Sequence, residues 1–168
     1  MQKRAFAPLV LMLVLLLTGF GCMPKQQQAN VTLKEPPVLQ LQYVIDGQKT
    51  ETVISSGNYE WYYENADGTR TGGIACGAHP LDSATKILQE DGLTQLQIVF
   101  STTPTNYSIR CWPDRCRGNA ERYEQDASAL AMDGNTLTLP ANGEGYVYEL
   151  SAEWPEGNAS YSFYVTPA

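Results

Sequence analysis

Residues 146–154 read Tyr-Val-Tyr-Glu-Leu-Ser-Ala-Glu-Trp, and the alternation in this stretch decides the fold. Tyr146, Tyr148, Leu150, Ala152 and Trp154 share one parity, and Val147, Glu149, Ser151 and Glu153 the other. A period of two marks a strand with one face in a core. Pro155 to Asn158 supplies a turn, and Ala159, Tyr161, Phe163 and Val165 repeat the pattern on the way back. The pair predicts a long antiparallel hairpin.

The same period runs upstream. Leu39, Leu41, Tyr43 and Ile45 alternate ahead of Asp46-Gly47, and Lys49 to Ser55 returns with Thr50, Thr52 and Ile54 on one face. Tyr59, Trp61 and Tyr63 share a face before Asp67-Gly68, with Thr69 to Cys76 as the returning partner. Leu96, Ile98 and Phe100 mark another strand, and Tyr107, Ile109 and Cys111 the next. Pro113 to Arg122 reads as a polar loop, and a further hairpin is expected about Asp133-Gly134-Asn135, with arms at 129–132 and 136–139. The exception lies in Gly77 to Gly92, where Asp82 to Glu90 predicts a short helix with Ile87 and Leu88 turned inward. Short alternating strands without a sustained helical period predict an all-β, two-sheet sandwich over residues 38–168. Tyr148 precedes the core position Leu150 by two residues, as in the penultimate strand of an immunoglobulin-like domain, where a tyrosine hydroxyl closes a corner. Trp61 is the expected core tryptophan. The expectation is therefore an immunoglobulin-like β-sandwich, with another sandwich or a small barrel as the alternative.

The chain begins differently. Lys3 and Arg4 precede a wholly apolar run from Leu9 to Leu17, which closes on Thr18-Gly19-Phe20-Gly21-Cys22. This is the pattern of an export signal over residues 1–21. Its apolar segment, Ala5 to Gly21, is about 17 residues, the lower limit for crossing roughly 30 Å of hydrocarbon. A small residue directly before Cys22 resembles the lipobox of bacterial lipoproteins, in which the cysteine is diacylated and becomes the new N-terminus. Cleavage near Gly21 without lipidation and an uncleaved anchor are the alternatives. All three predict an extracytoplasmic domain, and two acyl chains would hold it stably at the cell membrane. Residues 22–37, with Gln26-Gln27-Gln28 and Pro36-Pro37, are expected to form a flexible tether after the anchor cysteine.

Charge narrows the partners. Of 11 Lys and Arg, two lie in the signal, leaving nine against 18 Asp and Glu, a net −9 beyond it. So acidic a domain has no electrostatic footprint for nucleic acid. It would also repel anionic lipid headgroups, so an envelope partner would be engaged through local chemistry.

Cys76, Cys111 and Cys116 carry the sharpest chemistry, since disulfides persist outside the cytoplasm. A Cys76–Cys111 bridge would close a loop of about 36 residues and contribute roughly 3 to 4 kcal/mol. A Cys111–Cys116 staple is the rival, and free thiols remain open. Cys76, His79, Cys111 and Cys116 together are a weaker alternative, a tetrahedral zinc site. No other cofactor is implied. His79 is the single histidine, with no G-x-S-x-G or other nucleophile motif to join it. Glu149 and Glu153 would stand about 13 Å apart along a strand, too far for a glycosidase pair. The expectation is thus a non-catalytic protein, with an exported hydrolase near His79 as the alternative. Tyr62, Trp112 and Tyr164 fall on the parity opposite their strands' core residues and are the candidate binding surface.

A narrower resemblance rests on four runs: Gly57 to Trp61, Ala75 to Leu81, Arg110 to Asp114 and Tyr146 to Trp154. Across roughly residues 52 to 166 the chain resembles an immunoglobulin-like extracellular lipoprotein module of clostridial-type Gram-positive bacteria. It is similar to the C-terminal extracellular region of antirepressor membrane metallopeptidases of the beta-lactam-sensor type. The resemblance implies a surface or sensory domain and brings no catalytic residues, because the peptidase's His-Glu-x-x-His motif is absent here. The expected function is a cell-surface lipoprotein that binds or senses an envelope glycan, a peptide or a partner membrane protein. A purely structural surface protein is the remaining alternative.

Overall fold

The computed structural model describes residues 32–83, 86–88 and 93–166. The expected signal, Cys22 and the first part of the expected tether lie outside them. Three strand pairs come directly from the turns. β1 (Leu39–Ile45) and β2 (Gln48–Ile54) join through Asp46-Gly47, both at positive φ (49° and 75°), the left-handed pair a two-residue hairpin requires. β3 (Tyr59–Glu64) pairs with β4 (Arg70–Ala75), and β10 (Tyr146–Trp154) pairs with β11 (Gly157–Val165) along their whole length.

The other described strands are β5 (Lys86–Leu88), β6 (Gln95–Phe100), β7 (Asn106–Pro113), β8 (Ser128–Leu130) and β9 (Thr136–Thr138). They complete a four-stranded sheet, β2-β1-β6-β9, and a larger one, β4-β3-β11-β10-β7-β8. The free edge of β11 is shared. Its first residues, Gly157–Ala159, pair with β3 and its last, Phe163–Val165, pair in parallel with β5. Gly157 is needed at that junction: a Cβ there would lie 2.0 Å from the Glu60 carbonyl oxygen. The domain is thus an all-β sandwich.

The core between the sheets takes the parity that the alternation assigns. Leu39, Leu41, Leu96, Ile98, Ile109, Leu150, Tyr161 and Phe163 are all buried. Trp61 meets Trp154 edge on at 5.6 Å, Phe100 packs edge on against both Trp154 and Tyr161, and Tyr148 stacks on Phe163 at 4.9 Å. Burial raises the Tyr148 and Tyr161 hydroxyls above the usual phenol range and pushes the Cys111 thiol up to about 11.

Four expectations change. Residues 86–88 of the expected helix are strand β5, because pairing with β11 supplies partners that one isolated turn cannot; the Thr166 amide also donates to the Leu88 carbonyl at 3.1 Å. In consequence Leu88 is buried and Ile87 exposed. The hairpin about Asp133-Gly134-Asn135 keeps only an isolated Asp133–Thr136 bridge, since β8 pairs with β7 in one sheet and β9 with β6 in the other. Contact with the sandwich reaches back into the expected tether at Leu33, which packs against the core ahead of the expected boundary at Val38. There the Leu33 amide donates to Glu156 Oε1 at 3.0 Å, and its carbonyl accepts from Trp61 Nε1 at 2.9 Å. Finally, Tyr148 serves as a stacked core residue, while the hydroxyl of its buried neighbour on β11, Tyr161, donates to the Pro37 carbonyl.

Candidate functional site

The outward face of the larger sheet is set by residues on the second parity. Strand register arranges them in rungs across β11, β10 and β7: Tyr164, Val147 and Trp112; then Ser162, Glu149 and Arg110; then Ser160, Ser151 and Ser108; then Asn158, Glu153 and Asn106. The first rung is apolar and covered. Leu81 and Tyr123 close over Trp112 and Val147 to make a second, smaller core on the outside of the sheet.

This cap is held by hydrogen bonds between two loops. Trp112 Nε1 donates to the Tyr123 carbonyl at 2.6 Å, and the Tyr123 hydroxyl donates to Asp82 Oδ1 at 2.6 Å while accepting from the Gly118 amide. The Asp82 bond and burial raise the Tyr123 hydroxyl above its ordinary value. Arg117 donates to the Leu81 carbonyl at 2.7 Å and lies over the Tyr164 ring. His79 stacks on Tyr123 at 4.4 Å and meets Trp112 edge on at 4.8 Å. Its Nδ1 accepts from the Leu81 amide at 3.2 Å, and its buried Nε2 has no partner among the described residues.

Beside the cap the face becomes polar. Glu149 is only 7% exposed, the one buried charged residue among those described. Its Oε2 accepts from Arg110 Nε at 2.8 Å, and Arg110 Nη1 reaches Glu124 Oε2 at 2.8 Å. The guanidinium also lies 4.8 Å from the Trp112 ring centroid, so the cap forms one wall of its site. Burial works against the charged guanidinium, but the two carboxylates outweigh it and hold its pKa above the usual arginine value. Below this pair the serine and asparagine rungs have short side chains, and they leave a groove of about 370 Å³ between Arg110 and Asn58. A buried ion pair is seldom retained for stability alone, since desolvation offsets most of its attraction. Its place at the head of an open polar groove makes this the candidate site. A larger cleft of about 620 Å³ opens on the smaller sheet, but Gln95, Gln97 and Glu51 there are exposed and none of its lining residues is a buried charge.

The expected site residues divide. Trp112 is fully buried, a correction to its reading as a binding surface, because the 79–83 and 114–127 loops cover its side of the sheet. Tyr164 is half-buried beside Arg117, and Tyr62 is half-buried beneath Arg70, whose guanidinium lies 4.5 Å from the ring centroid. The three do not form one surface.

No disulfide forms among Cys76, Cys111 and Cys116. Cys76 is exposed after β4, Cys111 points into the main core, and Cys116 packs against the cap on the opposite side of the sheet. The sheet itself separates Cys111 from Cys116. The zinc alternative fails as well: among the described residues no group of three or more His, Cys, Asp or Glu is arranged to hold a metal. Arg110 was missed by reading the sequence, and Glu149 was read there as too far from Glu153 to act. Parity alone marks both as outward-facing, but their pairing follows from the β7–β10 register, which no local signal encodes. Comparison of the chain with family models, curated proteins and solved structures finds no match.

Proposed function

We propose that this chain is a lipid-anchored, extracytoplasmic binding or sensory module that holds a polar envelope ligand in the groove and performs no chemistry on it. The ligand is a glycan, a peptide or an exposed segment of a partner membrane protein. The observation that carries the reading is the buried Glu149 paired with Arg110 at the head of the groove. Such a group offers fixed acceptors and donors at the cost of desolvation, a cost that fits recognition better than stability. The anchor rests on the Gly21-Cys22 pattern, and the family resemblance over residues 52 to 166 points to the same compartment. An immunoglobulin-like reading of the sandwich is supported by β5 running parallel to β11 and by β6 and β7, consecutive strands, lying in opposite sheets.

The hydrolase alternative has little to work with, because His79 is packed against Tyr123 and Trp112 and its Nδ1 is engaged. Co-sedimentation of the protein with cell-wall sacculi over a salt series tests the binding reading. Salt-resistant pelleting that Ser151→Trp abolishes is the expected result; pelleting unchanged by that substitution would remove the groove from consideration. Loss of membrane retention in Cys22→Ala tests the anchor separately.

A further inference from the structure

We infer that the loop cap over Trp112 is an acid-released cover, held shut by neutral His79 and opened when that side chain takes up a proton. Hydrogen bonding fixes the roles of the two ring nitrogens. Nδ1 accepts from the Leu81 amide at 3.2 Å, so the hydrogen of the neutral ring sits on Nε2. That nitrogen is buried and has no partner among the described residues. In the imidazolium both nitrogens donate. A second hydrogen would face the Leu81 amide donor, end that bond, and leave a charged ring with no acceptor for either N–H among the described residues.

The bond matters for what it holds. With the Asp82 amide, which donates to the His79 carbonyl at 2.8 Å, it shapes the turn that sets Leu81 against Trp112 and Val147. The same imidazole stacks on Tyr123 and meets Trp112 edge on, so it joins the two loops to the sheet. The other charged groups at the cap are already engaged. Asp82 accepts from the Tyr123 hydroxyl, and Arg117 is paired with Asp114 and bonded to the Leu81 carbonyl. Arg110, beside the Trp112 ring, is held by Glu149 and Glu124. Tyr123, through its bond to Asp82, and Tyr164 and Cys116, through burial, are raised and stay protonated in acid. Histidine is the side chain whose charge ordinarily changes between about pH 5 and 8, and His79 is the only one in the chain. The open cap takes up a proton that the closed one excludes, so closure is favoured at the upper end of that range and lost toward the lower. Acid thereby exposes Trp112 and Val147 beside Arg110.

Exchange of the indole hydrogens, followed by NMR on the full chain in detergent micelles, tests this. Each is bonded to a backbone carbonyl, Trp112 to Tyr123, Trp61 to Leu33 and Trp154 to Thr102, and of these Trp112 lies in the cap. Dividing the rate at Trp112 by that at Trp61 or Trp154 removes the pH dependence of exchange itself. Lowering the pH from 7.5 to 5.5 should raise this ratio tenfold or more. In His79→Asn, whose side-chain oxygen accepts from the Leu81 amide without titrating, the ratio should keep its pH 7.5 value. His79→Phe keeps the stack but lacks the acceptor, and its ratio should be raised at both pH values. A constant wild-type ratio, an equal rise in His79→Asn, or a low ratio in His79→Phe would each overturn the inference. Loss of protection at Trp61 and Trp154 would report a variant that fails to fold, and the wild-type ratio and the other variant then decide.

Discussion

The two faces of the larger sheet are built from the same strands and differ in what covers them. The inner face packs against a second sheet, and across β7, β10 and β11 every rung of it is apolar. Across β11, β10 and β7 the described residues cover the outer face at one end, by two loops, and leave its remaining rungs polar and open. Consecutive residues of β7 show the contrast: Cys111 lies in the main core and Trp112 in the cap, both buried, on opposite sides of one sheet. Burial on a strand is therefore decided by what lies above each face, and alternation reports only that the two faces differ.

The largest effect should come from the inner face. Leu150→Ala leaves a cavity in the shared core and should cost about 2 to 5 kcal/mol, lost in one cooperative transition by thermal or denaturant unfolding. Trp112→Ala removes a side chain just as buried, but from a cluster that only loops enclose. It should cost about 3 kcal/mol in the cap, seen as faster tryptic cleavage at Arg115, Arg117 or Arg122 before the sandwich itself melts. If the two substitutions instead lower one common transition equally, the cap and core are a single cooperative unit.

The ion pair between the two regimes should be intermediate. Removing one partner, as in Arg110→Met, should cost about 1 to 2 kcal/mol, discounted for the guanidinium's partial exposure, and a double variant with Glu149→Leu should recover most of it. A double-mutant cycle by urea unfolding checks this.

The inner face also predicts a pH dependence. Tyr148, Tyr161 and Cys111 all have folded pKa values raised by burial, so the unfolded chain releases these protons first. Their contribution is full below the unfolded values and is lost as pH rises from about 9 through the folded values. Unfolding midpoints from pH 8 to 11 should fall accordingly, and Cys111→Ala should blunt the first part of that fall. The smallest effect belongs to Cys76: Cys76→Ser should change stability by less than about 0.5 kcal/mol, and maleimide should label Cys76 in the native protein but Cys111 only on unfolding.

Much of the inner face was legible in the sequence, because it depends on local quantities. Parity assigned Trp61, Ile109, Leu150 and Phe163 to the core, and Asp46-Gly47 and Asp67-Gly68 marked the turns. A hydrophobic side chain every second residue has one physical use in a strand, and a left-handed turn has few residues that tolerate it. Only the tertiary structure decided the rest. Strand β5 exists because β11 offers it an edge, and the arms about Asp133 part because each finds a partner in a different sheet. Trp112 is buried because distant loops fold over it, and Glu149 faces Arg110 because register, a property of two strands together, brings them opposite. Periodicity is written into one strand at a time, whereas coverage and register are relations between strands far apart in the chain, and these build the candidate site.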